Sequence, residues 1–233
     1  MDNYLNWTFD HRMHQKPDCD FYTRMTELLA QRPEASQNQH CYFILPNYSF
    51  NHQNPEIAGQ EKLVIGKLSV QKRLERKKWI YDIRRTDSTS GESICLQITM
   101  NNNAYMSLTE QRIVSYSING KTVSGHNKDN IAFSPFLTSI YGIPQLIRKY
   151  RRGIAHFSLM DSHGQIRAAQ KIGPLGSDFL RIKGTNVEIT GYCLIGYASP
   201  PSYWWIDNKK RLLIVSTPLL TYVAGSCSYP QPI

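Results

Sequence analysis

Arg112-Ile113-Val114-Ser115-Tyr116-Ser117-Ile118-Asn119-Gly120-Lys121-Thr122-Val123-Ser124 holds two short strand-forming runs on either side of Asn-Gly. A two-residue type I′ turn needs positive φ at both central positions, which Asn and Gly tolerate, so the stretch reads as a β-hairpin. Toward the N-terminus the same grammar recurs. Candidate strands run over Lys62–Val70, Trp79–Arg85 and Ser93–Met100, with Asn101-Asn102-Asn103 as a further turn. Toward the C-terminus it recurs from Ile154 to Met160, Gln165 to Ile172, Phe179 to Lys183, Val187 to Ile195, Tyr203 to Ile206 and Arg211 to Val215. Turns are read at His163-Gly164, Lys183 to Asn186 and Asp207 to Lys210. Evenly spaced strands without intervening helices argue against a parallel α/β sheet and for an antiparallel sandwich or barrel.

Two segments break the pattern. Ser134 and Pro135 can open a helix that Gly142 and Pro144 interrupt before Gln145–Tyr150, so a helical insertion is predicted over residues 134 to 150. Near the N-terminus, Phe21, Met25, Leu28 and Leu29 fall at helical spacing between Asp20 and Arg32, with Pro33 as a stop. The expected fold class is mainly β: a curved antiparallel sheet, half-barrel or barrel, with a helical insertion and an N-terminal helix. The expected division is an extension over residues 1–60 packed on the main domain, a β domain over 61–225, and a mobile tail over 226–233. The run Cys41-Tyr42-Phe43-Ile44-Leu45 reads as a short strand inside the extension.

Composition fits one such domain. The 233-residue chain is 41% hydrophobic, enough to fill a core, and its fourteen tyrosines favour strands. Lys and Arg outnumber Asp and Glu, 27 to 18, which gives the surface a positive field that attracts phosphates or acidic partners. The opening residues lack a signal-peptide pattern, no apolar run is long enough to span a membrane, and five scattered cysteines form no CxxC. Those features predict a cytoplasmic protein with reduced thiols and no disulfide framework.

The stretch from Gly184 to Val215 resembles the closing strands of uncharacterised bacterial half-barrel proteins akin to the outer-membrane lipoprotein carriers. The residues behind this are Tyr192 after Val187-Glu188-Ile189-Thr190, then Tyr203-Trp204-Trp205-Ile206-Asp207 and Arg211-Leu212-Leu213. The resemblance implies a curved sheet around a cavity suited to an apolar ligand, and it implies no catalytic residue.

Motifs exclude several enzyme classes. GxSxG, GxxxxGK[ST] and GxGxxG are all absent, so no nucleotide or dinucleotide cofactor is expected. Asp10-His11-Arg12-Met13-His14 with Asp18, Cys19 and Asp20 gathers metal-ligand types, but no second motif at metal spacing accompanies it, and it reads as a solvated segment. The candidates for acid/base chemistry are His156, Asp207 and Tyr192. Trp79, Tyr81, Tyr203, Trp204 and Trp205 are the candidate ligand-binding rings. Because Trp204 and Trp205 are neighbours in a strand, they must point to opposite faces, so one leaves the main core unless another layer covers it.

Basic residues cluster at Lys72-Arg73, Arg76-Lys77-Lys78 and Arg84-Arg85, and again at Arg148-Lys149 with Arg151-Arg152. They suit either a polyanion or the protection of strand edges from mispairing. The leading expectation is therefore the binding of an apolar or aromatic small molecule in a barrel-like cavity, with cofactor-independent isomerase, cyclase or dehydratase chemistry if it is an enzyme. Nucleic-acid binding through basic hairpins and a purely structural module are the alternatives.

Overall fold

The computed structural model describes residues 19–31, 39–46, 64–76, 78–88, 90–101, 113–118, 121–124, 137–139, 143, 147, 155–160, 166–196, 199–209 and 211–226. Among the described residues, helix α1 (Cys19–Ala30) precedes thirteen strands. These are β1 (Gln39–Pro46), β2 (Gly66–Glu75), β3 (Lys78–Asp87), β4 (Ser93–Asn101), β5 (Ile113–Ile118), β6 (Lys121–Ser124), β7 (Leu137–Ser139), β8 (Ala155–Met160), β9 (Ile166–Ile182), β10 (Thr185–Gly196), β11 (Ser199–Asp207), β12 (Leu212–Ser216) and β13 (Leu220–Gly225). All belong to one sheet in the order β6-β5-β4-β3-β2-β1-β13-β12-β11-β10-β9-β8-β7. Every pairing is antiparallel except β7 with β8.

That order means two meanders, β1 to β6 and β8 to β13, sewn together where the first strand pairs with the last. The sheet curls until β5 lies near β7, and no strand pairing joins its two edges among the described residues. It is an unclosed, barrel-like antiparallel sheet, as the strand spacing predicts. The strands expected on either side of Asn119-Gly120 do pair, as β5 with β6, and Ile118 stands opposite Lys121.

Burial follows position in the sheet. The central strands are covered on both faces and read as unbroken apolar runs: Cys41 to Leu45, Leu213 to Val215 and Val223 to Ala224 are all buried. Outward, β2 and β3 alternate. Leu68, Val70, Tyr81 and Ile83 are buried, while Gln71 and Arg84 are exposed, so this half of the sheet has one dry face and one wet face. On α1, Met25, Leu28 and Leu29 recur at i, i+3 and i+4 and are buried against β13 and β9.

Five expectations need correction. Residues 137–139 form strand β7, paired with β8, where the helical insertion was expected to begin; helical geometry is found further on, at Ile143 and Ile147, both buried. The runs 165–172 and 179–183 are parts of one 17-residue strand, β9. Residues 220–225, which had no assigned strand, form β13, a largely buried strand that ends at Gly225. Cys41 is disulfide-bonded, against the expectation of reduced thiols throughout, while Cys95 and Cys193 are not in disulfides. β1, placed by sequence in the N-terminal extension, lies between β2 and β13 at the middle of the sheet.

Candidate functional site

β11 carries most of the rings that the sequence singles out. Alternation along it turns Trp204 and Trp205 to opposite faces, and both are buried, 3% and 0% exposed. Trp205 joins the apolar cluster that includes α1, through Met25 and Leu28. Trp204 joins a second cluster with Tyr192, Leu194, Phe157, Ile143 and Ile147. The helical residues Ile143 and Ile147 thus belong to the second layer whose existence decides whether both tryptophans can be interior. The indole N–H of Trp204 donates to Ser202 Oγ at 3.0 Å, which satisfies it within the core. Tyr203 is buried beside them, and Tyr192 stands directly opposite Trp204 across β10 and β11.

Tyr81 belongs to a different part of the sheet. It lies on the dry face of β2 to β4 with Val70, Ile83 and Leu96, and is 4% exposed. Its register partner Lys72 holds its Nζ 5.9 Å from the ring centroid, a cation–π arrangement at the end of the apolar strip. Trp79 is on β3 opposite Leu74 and Met100. A second lysine, Lys67, sets its Nζ 5.9 Å from the ring of Phe43, and partial burial pushes its pKa below the ordinary lysine value. Sequence alone does not find these two pairs, because cross-strand register between β1, β2 and β3 brings them together.

The three acid/base candidates are not assembled. His156 is exposed on β8, opposite Lys171 of β9. Asp207 is opposite Ile189, whose β9 partner is Asp178, seven residues further along that strand. At roughly 3.3 Å per residue the two levels are about 23 Å apart. Tyr192 faces the second cluster, whereas Asp207 and Trp205 share the other side of β11.

Asp207 is 1% exposed, and both of its carboxylate oxygens are engaged by one residue. Oδ1 accepts the Arg211 backbone N–H at 2.8 Å, and Oδ2 accepts Arg211 Nε and Nη2, each at 2.7 Å. The Asp207 N–H returns a bond to the Arg211 carbonyl at 3.0 Å, so this set closes the β11–β12 turn.

The basic hairpin of β2 and β3 divides its charges. Lys72 and Arg85 lie on the dry face's side and Arg73 and Arg84 on the other, since strand neighbours alternate. Arg73 donates from Nε to Asp82 Oδ2 at 2.9 Å and pairs with Glu75, and these partners raise its pKa. Gln97 Nε2 donates to the other Asp82 oxygen at 2.7 Å, completing a three-strand polar network.

Among the described residues, no group of three His, Cys, Asp or Glu is placed to hold a metal ion, and no helix is long and apolar enough to cross a membrane. The Asp10-to-Asp18 stretch, His163 and the Arg148–Arg152 cluster lie outside the described residues.

No family model and no curated protein matches the chain. Comparison with solved structures finds the crystal structure of a beta-barrel-like protein of domain of unknown function DUF1849 from Brucella abortus, at TM-score 0.40 and 7% identity, covering 81% of this chain and 94% of that one.

Proposed function

We propose that the protein binds an apolar or aromatic small molecule on the enclosed side of its curled sheet. The observation that carries this reading is the two-sided character of β2 to β4. Val70, Tyr81, Ile83 and Leu96 turn one way and are all below 5% exposed, while the opposite side is wet and polar. In a sheet that curls on itself, the dry side is the inner side, and an aromatic ring capped by a lysine at its end suits a ligand with an apolar body. The likeness of residues 184–215 to lipoprotein-carrier half-barrels points the same way. His156, Asp207 and Tyr192 lie too far apart, or on opposing faces, to act as one proton-transfer set, so binding is favoured over catalysis by these groups.

Titration with a neutral apolar fluorophore, N-phenyl-1-naphthylamine, tests the proposal. Saturable binding by the folded chain, weakened when Tyr81 is replaced by alanine, is expected. A folded protein that leaves the probe's emission unchanged sinks it.

A further inference from the structure

Directly opposed residues of neighbouring strands share a face, so register sorts the side chains of the sheet into two sets. Trp204 stands opposite Val215, Val215 opposite Tyr222, Tyr222 opposite Ile44 and Ile44 opposite Gly66. Alternation along β2 and its pairing with β3 then put Val70 and Tyr81 on the same face as Trp204 and Tyr192. Helix α1 packs on the other face, where its Leu28 carbonyl oxygen approaches Gly225 beside Phe43. Two exposed apolar side chains belong to the first face. Leu74 lies four residues beyond Val70 and is 52% exposed. Phe179 is 63% exposed and stands opposite Glu188, which shares a face with Tyr192 four residues on.

Both lie toward one end of the sheet. In the order β2-β1-β13-β12-β11-β10-β9 every pairing is antiparallel, so β2, β11 and β9 run the same way and the turns that follow them share that end. Cations mark all three turns: Arg76 and Lys78 at β2–β3, Lys183 at β9–β10 and Lys209 at β11–β12. All four are exposed and form no ion pair among the described residues. Of the exposed acidic residues there, Glu75 is paired with Arg73, and Glu188 lies beside Phe179. The turns at the opposite end carry Asp87 and Glu92 at β3–β4 and the neutral Thr217 to Leu219 at β12–β13. The apolar face, dry at Val70 and Tyr81, thus becomes accessible at the basic end, between Leu74 and Phe179.

We infer that the ligand of the enclosed face is an amphipathic anion, its apolar chain laid along Tyr81 and its one charged head held among Arg76, Lys78 and Lys183. This rests on the binding reading above and adds the charge of the head and the end at which it sits. Tyr81 is three residues from Lys78 on β3, about 10 Å at 3.3 Å per residue, so a head at the cations keeps its chain within reach of the ring. Unpaired cations beside an apolar wall attract an anion more strongly than the same cations in open water, and they add nothing to the binding of a neutral chain.

Displacement of N-phenyl-1-naphthylamine from the full-length protein, at neutral pH and low salt, tests the inference with dodecanoate and dodecan-1-ol as competitors of equal chain length. Dodecanoate is expected to displace the probe at a concentration about fivefold below that of the alcohol. The Arg76→Asn/Lys78→Gln/Lys183→Asn variant is expected to lose that preference; asparagine suits the positive φ of positions 76 and 183. Lys171→Ser, an exposed cation of β9 away from this end, retains it. Equal displacement by acid and alcohol, or a preference that survives the triple variant, overturns the inference and leaves the binding reading standing. A folded chain that binds no probe overturns both.

Discussion

The indole of Trp205 fills the space that a side chain at Gly191, its direct cross-strand partner, would need: a Cβ there would meet two ring carbons at 2.7 Å. The glycine is what lets the largest fully buried side chain lie close to the sheet. Phe43 does the same at Gly225, where its ring carbons would be 2.3 and 2.4 Å from a Cβ. Gly191→Ala forces the indole off its position and destabilises the fold by about 1–3 kcal/mol. Urea unfolding followed by tryptophan emission measures this. A cost below about 0.5 kcal/mol shows that the ring has room to move.

Asp207→Ala strips the β11–β12 turn of its acceptors and leaves the Arg211 guanidinium without this partner. Because Arg211 is one-third exposed, water can take the place of the lost carboxylate, and the cost is about 1–2 kcal/mol. Arg211→Ala costs more, about 3 kcal/mol, because it leaves the Asp207 carboxylate, 1% exposed, without this charged partner. Equal losses from the two variants in thermal unfolding contradict this assignment.

Lys67 has its pKa lowered by burial. Above its folded-state pKa the folded form releases the proton while the unfolded chain still holds it, so stability rises with pH through the window leading up to the ordinary value of 10.5. The desolvation penalty is therefore present in full at neutral pH. Lys67→Met is expected to raise the melting temperature slightly at pH 7, with the gain shrinking as pH approaches 10.5. A gain that grows with pH reverses the sign and refutes the account.

Arg73 serves the Asp82 and Glu75 carboxylates at an exposed site, so Arg73→Ala is expected to leave the melting temperature nearly unchanged. With its charge already partnered and its basic neighbours split between two faces, this hairpin is not expected to hold a polyanion. Oligonucleotide titration at low salt is predicted to show no binding that Arg73→Ala removes.

Much of the fold is legible in the sequence because the signals are local. The strands flanking Asn119-Gly120 pair as that dipeptide predicts, and most strands fall where β-formers lie between turn residues. What escapes depends on distant partners. Gly173-Pro174 reads as a break, yet lies inside β9, where Pro174 stands opposite Tyr192 of β10 and the described β8 pairing ends at Ile172. β13 follows a turn in which Thr217 Oγ1 both donates to the Leu220 carbonyl and accepts its N–H, and its place beside β1 joins the two ends of the chain. No local pattern encodes that. For the site, the opposed faces of Trp204 and Trp205 are readable from alternation, but the layer over Trp204 comes from Ile143 and Ile147, distant in sequence. His156 sits in an apolar run whose phase the sequence leaves open; Phe157 and Leu159 take the buried side and leave it exposed.

Native mass spectrometry of the intact chain after exposure to a long-chain fatty acid tests the enclosed-face claim most directly. The account predicts a one-to-one adduct that survives transfer as a folded ion, is lost on denaturation, and is diminished by Tyr81→Ala. The bare chain mass alone, from protein shown to be folded and at every ligand concentration, contradicts it.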